Sequence, residues 1–341
     1  MTTPSASFPR STPPSLLILI LDIHPLSWSL LSSIEPPDPL DSPPPIAPAE
    51  HHYLLARAPI GPITLPDFLN VLLVFLNSHL ASRWGNRVVV FAASAGKSKL
   101  LYPTAGGYDG EEGPKERPNV YSPFGMLDQG LERGLKDMIA EEETRMDDQD
   151  GEGLNDPPAI VSAMTKALCY INRHSPPPSS ESTAPTNETR ILVINATPGA
   201  GSNSSDNSSS TKSGGGGMRG GYVGLMNCVF AAQKAKIPID VLTLPPASTG
   251  TEAPIFLQQA SHLTEGVYWR WNGRGGLLQY LHTIYLAPPA LRQTPFSQPP
   301  QDAVDFRAVC FCHHDVVDVG FVCSVCLSIF CKPLPVCQMC K

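Results

Sequence analysis

Seven cysteines crowd into the last stretch of the chain, Cys310 to Lys341, out of nine in the whole sequence. Two Cys-x-x-Cys pairs, Cys323/Cys326 and Cys337/Cys340, stand ten residues apart. Thiolates at that spacing converge on one tetrahedral zinc ion, each pair supplying two ligands from a tight turn. The remaining Cys310, Cys312 and Cys331, with His313 and His314 beside them, offer donors for a second zinc site. Its fourth ligand stays open between the two histidines, with His313 the first choice, so one or two zinc ions are expected. A site filled by protein ligands leaves no position for a water nucleophile, so this zinc is structural rather than catalytic. The segment 306–341 is too short to build a core, and metal binding must supply much of its folding free energy, roughly 10–16 kcal/mol in small zinc modules.

Elsewhere the residues that do chemistry are sparse. "SAGKS" (Ser94–Ser98) follows an apolar strand, but Phe91 occupies the position where a phosphate-binding loop needs its first glycine. A strand rather than a helix follows it, so the segment reads as a hairpin turn. Asp22 ends the first apolar run, the usual place for ligand chemistry in an open α/β sheet, with His24 two residues on. No serine or cysteine sits in a strand-turn-helix elbow, so no catalytic residues are assigned and no enzymatic activity is expected.

These groups must be held by the elements around them. "LLILILD", "NRVVVFAAS", "RILVINAT" and "PIDVLTLP" are continuously apolar runs of strand length, the pattern of strands covered on both faces. "SKLLYP" follows its neighbour so closely that it must return as an antiparallel edge strand; "EGVYWRW" is a further strand. Between them, Leu65–Trp84, Phe124–Glu142, Ala159–Arg173, Val223–Ile237, Ile255–Leu263 and Gly275–Ala287 read as helices, the first opened by Pro66 and Asp67. This alternation predicts a doubly wound, mostly parallel sheet flanked by helices over 16–287. Residues 1–15 are Ser-, Thr- and Pro-rich and expected to be disordered, with flexible insertions near 35–50, 105–120, 141–157, 174–189 and 199–221. A proline-rich linker, 288–305, then leads to the zinc finger at 306–341.

Composition narrows the class of partner. The net charge of −7 and a charged fraction of 16% argue against a broad nucleic-acid footprint. The 37 prolines belong in loops and tails. No stretch reads as a membrane span of about 18 apolar residues, and "LLILIL" is no signal-peptide core, because Asp22 and "HPLSW" stand where small cleavage-site residues belong.

Several segments taken together resemble a known family. "LLILILDIHPLSW", "FLNVLLVFLNSHL", "KALCYINR", "RILVINAT", "MNCVFAAQKAKIPIDV" and "VCFCHHDVVDVGFVCSVCLSIFCKPLPVC" resemble the smaller von Willebrand A-domain subunit of general transcription factor II H, TFIIH, in a version whose insertions look fungal. The resemblance implies a six-stranded von Willebrand factor A-like sheet followed by a C4-type, RING-like zinc finger. It implies a nuclear, non-enzymatic scaffold of the TFIIH core, serving RNA polymerase II transcription initiation and nucleotide excision repair. It also implies a partner, the larger sister subunit, whose cysteine-rich zinc module holds the A domain, besides other TFIIH core subunits; direct DNA contact is left open. Many A domains bind Mg²⁺ through Asp-x-Ser-x-Ser, because a hard cation needs several oxygens. Here the stretch is Asp22-Ile23-His24-Pro25-Leu26, so no Mg²⁺ is expected at Asp22, which is read instead as a cap for backbone amides or as orienting the "HPLSW" loop through hydrogen bonds. The family also continues past the last Cys-x-x-Cys into a basic tail, from which a shortened C-terminus is expected. A rival from another class is a RING-type ubiquitin ligase or another zinc-finger adaptor, although Cys310-x-Cys312 departs from the usual leading Cys-x-x-Cys.

Overall fold

The structure is a computed structural model and describes residues 14–34, 61–103, 122–148, 156–174, 188–197, 222–245, 254–271, 273, 276–292, 304, 306, 308–310, 316–325, 328–333 and 335–337. Six strands form one sheet: β1 (Ser15–Asp22), β2 (Arg87–Ser94), β3 (Lys97–Tyr102), β4 (Glu188–Asn195), β5 (Ile239–Thr243) and β6 (Tyr268–Arg270). Their spatial order is β3-β2-β1-β4-β5-β6. Every pairing is parallel except β2 with β3, which is antiparallel as the short connection requires.

β1 is central because both its faces are apolar. Leu17, Leu19 and Leu21 enter one core layer, whereas Leu16, Ile18 and Ile20 enter the other. This alternation is the two-residue period of a strand, and covering both faces takes helices on both sides. Burying each of these side chains contributes roughly 1.5–3 kcal/mol. The first layer is covered by α1 (Pro25–Ser32), α2 (Leu65–Ser82) and α3 (Ser122–Asp148). The second is covered by α4 (Ile160–His174), α5 (Tyr222–Lys234) and α6 (Ile255–Leu263). The chain then returns to the first layer through α7 (Leu277–Tyr280), continued by a wider π-helical turn, Leu281–Leu286, before the short α8 (Pro289–Arg292).

Local chemistry explains the starts and stops. The Thr64 hydroxyl accepts from the Asp67 amide at 3.3 Å and donates to the Asp67 carboxylate at 2.6 Å, capping α2 ahead of its apolar stripe. By length and composition α2 is apolar enough to cross a membrane. Its Phe68, Leu72, Phe75, Leu76 and Leu80 are nevertheless buried against the sheet. Gly96, at φ +67°, makes the β2–β3 turn, so "SAGKS" is the hairpin expected. At Gly130 and Gly134 an added Cβ would come within 2.9 Å of Tyr102 and 3.1 Å of Leu101, so these glycines let α3 close onto β3.

Three expectations are corrected. "HPLSW" is not a loop: Pro25 starts α1, its fixed φ suited to a first helical turn, and Trp28 and Leu31 are buried. The acidic run after Glu141 is not wholly an insertion, because α3 continues to Asp148. Its charges are tethered: Lys99 Nζ to Glu141 at 2.7 Å, and Arg145 to Glu142 at 3.2 Å within the helix. Finally, the sheet domain does not end at Ala287, since α8 brings the buried Arg292 back onto β5. The expected insertions at 35–50, 105–120 and 199–221, and most of that at 174–189, lie outside the described residues.

Candidate functional site

β1 and β4 are neighbours in space but not in sequence, and the chain reverses its winding direction between them. In open parallel sheets the crevice above such a reversal is where ligands bind. Asp22 ends β1 at that point and is fully buried. Its Oδ2 accepts from the amides of Ala196 (3.0 Å) and Thr197 (2.8 Å) and from the Thr197 hydroxyl (2.7 Å). Its Oδ1 accepts from the His24 amide at 3.0 Å. One carboxylate thus ties the end of β1 to the end of β4, and the reading of Asp22 as a cap for backbone amides describes it well. Burial pushes its carboxyl above the usual range, opposed by the Thr197 hydroxyl and the three amides.

The same knot positions α1. The Trp28 indole donates to the Asp22 carbonyl at 2.9 Å, and the Ser27 hydroxyl lies 3.0 Å from that of Thr197. His24 is buried, with Nε2 3.0 Å from the Asp156 carbonyl, so the first connection is bound to the segment before α4. The Asn195 amide nitrogen donates to the Thr197 carbonyl at 2.6 Å. A hard cation takes six or more oxygens, and three of the four donors to Asp22 already crowd one oxygen. Among the described residues, no group of three or more His, Cys, Asp or Glu side chains gathers here or elsewhere. The site is built to hold loops together.

The opposite end of the sheet carries a buried charge cluster whose members were not singled out from the sequence, although Arg190 and Asp240 stand as charges inside apolar strands. Arg292 meets Asp240 of β5 through two parallel hydrogen bonds of 2.6 Å, with the side chains 6% and 1% exposed. The Val267 amide donates to the same carboxylate at 3.0 Å. Arg190 of β4 donates to the carbonyls of Ala287 (2.7 Å) and Leu286 (3.2 Å), and Arg292 Nε to that of Ala287 (3.0 Å). Burial brings the Arg190 guanidinium down to about 10. Burial acts on Arg292 in the same direction but is outweighed by Asp240, which raises it. Beside them His79 is buried and brought down to about 3, first by desolvation and then by the charge of Arg190. The cluster clamps the point where the chain leaves the sheet for its cysteine-rich end.

That end forms two small antiparallel hairpins, β7 (Ala308–Val309) with β8 (Val316–Val317), and β9 (Phe321–Val322) with β10 (Ile329–Phe330). Cys310 directly follows β7 and is buried. Cys323 directly follows β9, and its amide donates to the Ser328 carbonyl at 3.0 Å, closing the turn that contains Cys326 in the sequence. A hairpin with Cys-x-x-Cys at its turn is the form in which paired thiolates reach one zinc. Cys331 and Cys337 are half-buried. Cys312, His313, His314, Cys326 and Cys340 lie outside the described residues.

A family model described as transcription factor Tfb4 matches residues 14–341, spanning the sheet domain and the cysteine-rich end. The general transcription and DNA repair factor IIH subunit tfb4 of Schizosaccharomyces pombe is 33% identical over 329 residues, which is 96% of this chain and 88% of that protein. The subunit of the same name from Arabidopsis thaliana is 30% identical over 334 residues, 96% of this chain and 87% of that protein. Among solved structures, the crystal structure of the TFIIH p34 N-terminal domain is similar at a TM-score of 0.50 and 26% identity, covering 79% of this chain and 96% of that one. The ubiquitin-ligase alternative draws no support from these relatives.

Proposed function

This chain belongs to the transcription factor Tfb4 family, and on that premise we propose that it is a structural subunit of TFIIH, the general transcription and DNA repair factor. The observation that carries the proposal is the extent of the match, 14–341, which includes both the sheet domain and the paired cysteines. The role is scaffolding of transcription initiation and nucleotide excision repair in the nucleus, without catalysis. The knot around Asp22 supports this reading: the crevice where a doubly wound sheet binds ligands is occupied by the protein's own donors.

The sheet is then a von Willebrand A domain that offers rigid surfaces to partners, the larger sister subunit first. The cysteine-rich end is a zinc module. Cys323, Cys326, Cys337 and Cys340 hold one ion, and Cys310, Cys312, Cys331 and His313 supply a second. The turn after Cys323 and the burial of Cys310 fit ligands held by a folded frame. When bound, zinc supplies folding free energy and no reaction chemistry. Co-expression of residues 14–292 with the zinc module of the sister subunit tests the partner assignment. A single one-to-one peak on size exclusion is expected, and separate elution at micromolar concentration counts against it.

A further inference from the structure

Trp84 lies in the turn between α2 and β2 and is 88% exposed, whereas Trp28 and Trp271 are buried at 6% each. An indole left in water stabilises nothing in its own chain. The turn that carries it is nonetheless rigid. Asn86 accepts from the Ser15 amide at 2.8 Å and donates to the His79 carbonyl at 2.8 Å and the Ser82 hydroxyl at 2.9 Å. Its amide also donates to the Arg83 carbonyl at 3.3 Å. Gly85 takes φ +85°, a conformation that favours glycine, and an added Cβ there would stand 3.3 Å from Pro14. The turn thus locks onto α2 and β1 through Asn86 and Gly85, and Trp84 is the residue displayed at its tip.

Its surroundings are basic. Arg83 and Arg87 flank Trp84 in the sequence, in a chain whose net charge is −7. Arg83 also lies 4.0 Å from Glu188 at the start of β4. A rigid aromatic residue, costing little entropy to immobilise and bordered by arginines, has the composition of an interface hot spot. The two arginines fall short of the clustered basic track that binding to a nucleic-acid backbone needs.

We propose that Trp84 is a preformed anchor that seats in an apolar pocket with an acidic rim on another protein of the same assembly. The proposal rests on the reading of the chain as an assembly subunit. Hydroxyl-radical footprinting tests it on the full-length chain alone, on the complex isolated through a tag on that chain, and on the chain mixed with duplex DNA. Trp84 is expected to be modified at least tenfold more slowly in the complex than in the free chain, and to stay reactive with DNA alone. Buried Trp28 serves as the internal control in all three samples. The Trp84→Ala chain should melt at the parent temperature but bind its partners at least about 30-fold more weakly, the smallest change that marks a hot-spot residue. Equal reactivity of Trp84 in the free and assembled chain overturns the proposal, as does protection by DNA alone or a lowered melting temperature of Trp84→Ala with unchanged assembly. A chain that enters no complex removes the scaffold reading as well; a complex that forms with Trp84 still reactive removes this inference only.

Discussion

Replacing Asp22 by alanine should be among the most damaging single changes in the sheet domain. The substitution removes the acceptor for four donors, the amides of His24, Ala196 and Thr197 and the Thr197 hydroxyl. Leaving a buried donor unpaired costs about 1–3 kcal/mol, so two or three stranded donors cost roughly 3–6 kcal/mol. Part of this is offset, because the carboxylate itself is held at a desolvation penalty. A net loss of roughly 2–4 kcal/mol remains, equivalent to a fall in melting temperature of about 5–15 °C for a domain of this size. Asp22→Asn keeps one acceptor oxygen and should fall between parent and alanine. Urea denaturation followed by near-UV circular dichroism measures the loss, and a magnesium titration of the parent chain belongs beside it. A loss below about 1 kcal/mol would show that the donors find other partners, and a magnesium-dependent rise in melting temperature would mean that Asp22 is a cation ligand. Either result refutes the reasoning.

Arg292→Ala should cost about 3–5 kcal/mol, because it leaves the Asp240 carboxylate buried without its bidentate partner; a chain cut after Ala287 should be equally unstable, whereas one cut after Arg292 should keep parent stability. His79 should remain neutral when the unfolded chain protonates. Since its folded pKa is lowered to about 3 from 6.5, its contribution is intact above pH 6.5 and is lost as pH falls toward 3. At pH 5 that loss is about 2 kcal/mol, checked by denaturation at pH 7 and 5 and by an unchanged His79 ring proton shift down to pH 4. Residues 306–341 should contain at least one zinc per chain by elemental analysis, and Cys326→Ser should unfold that segment as judged by its amide dispersion; a folded, metal-free module would contradict the zinc assignment.

Strands were legible where burial on both faces leaves a mark in composition. β1, β2, β4 and β5 are continuous apolar runs because each feeds two core layers, and the short β2–β3 connection dictated its antiparallel return. Other features depend on register, which no single segment carries. Thr197 meets Asp22 only because β4 lies beside β1 in the sheet. Asp240 and Arg190 did carry a signal, since a charge inside an otherwise apolar strand is almost never buried unpaired. Their partners are Arg292, in what reads as a proline-rich linker, and the carbonyls of Leu286 and Ala287 at the end of the last helix. α1 is not legible in the sequence because "HPLSW" is short and reads as a loop, although Pro25 suits a first helical turn. The end of α3 beyond Glu142 reads as a solvated loop because acidic runs do, until Arg145 is seen to pair with Glu142 within the helix. The two Cys-x-x-Cys pairs are visible from spacing alone.

The central claim is that this chain is built into TFIIH as a stoichiometric structural part. Affinity purification of the tagged full-length chain from nuclear extract, followed by quantitative mass spectrometry of the salt-washed complex, tests it directly. The account predicts the TFIIH core subunits at one copy each per tagged chain. Recovery of the chain alone, or with ubiquitin-conjugating enzymes in place of those subunits, would contradict it.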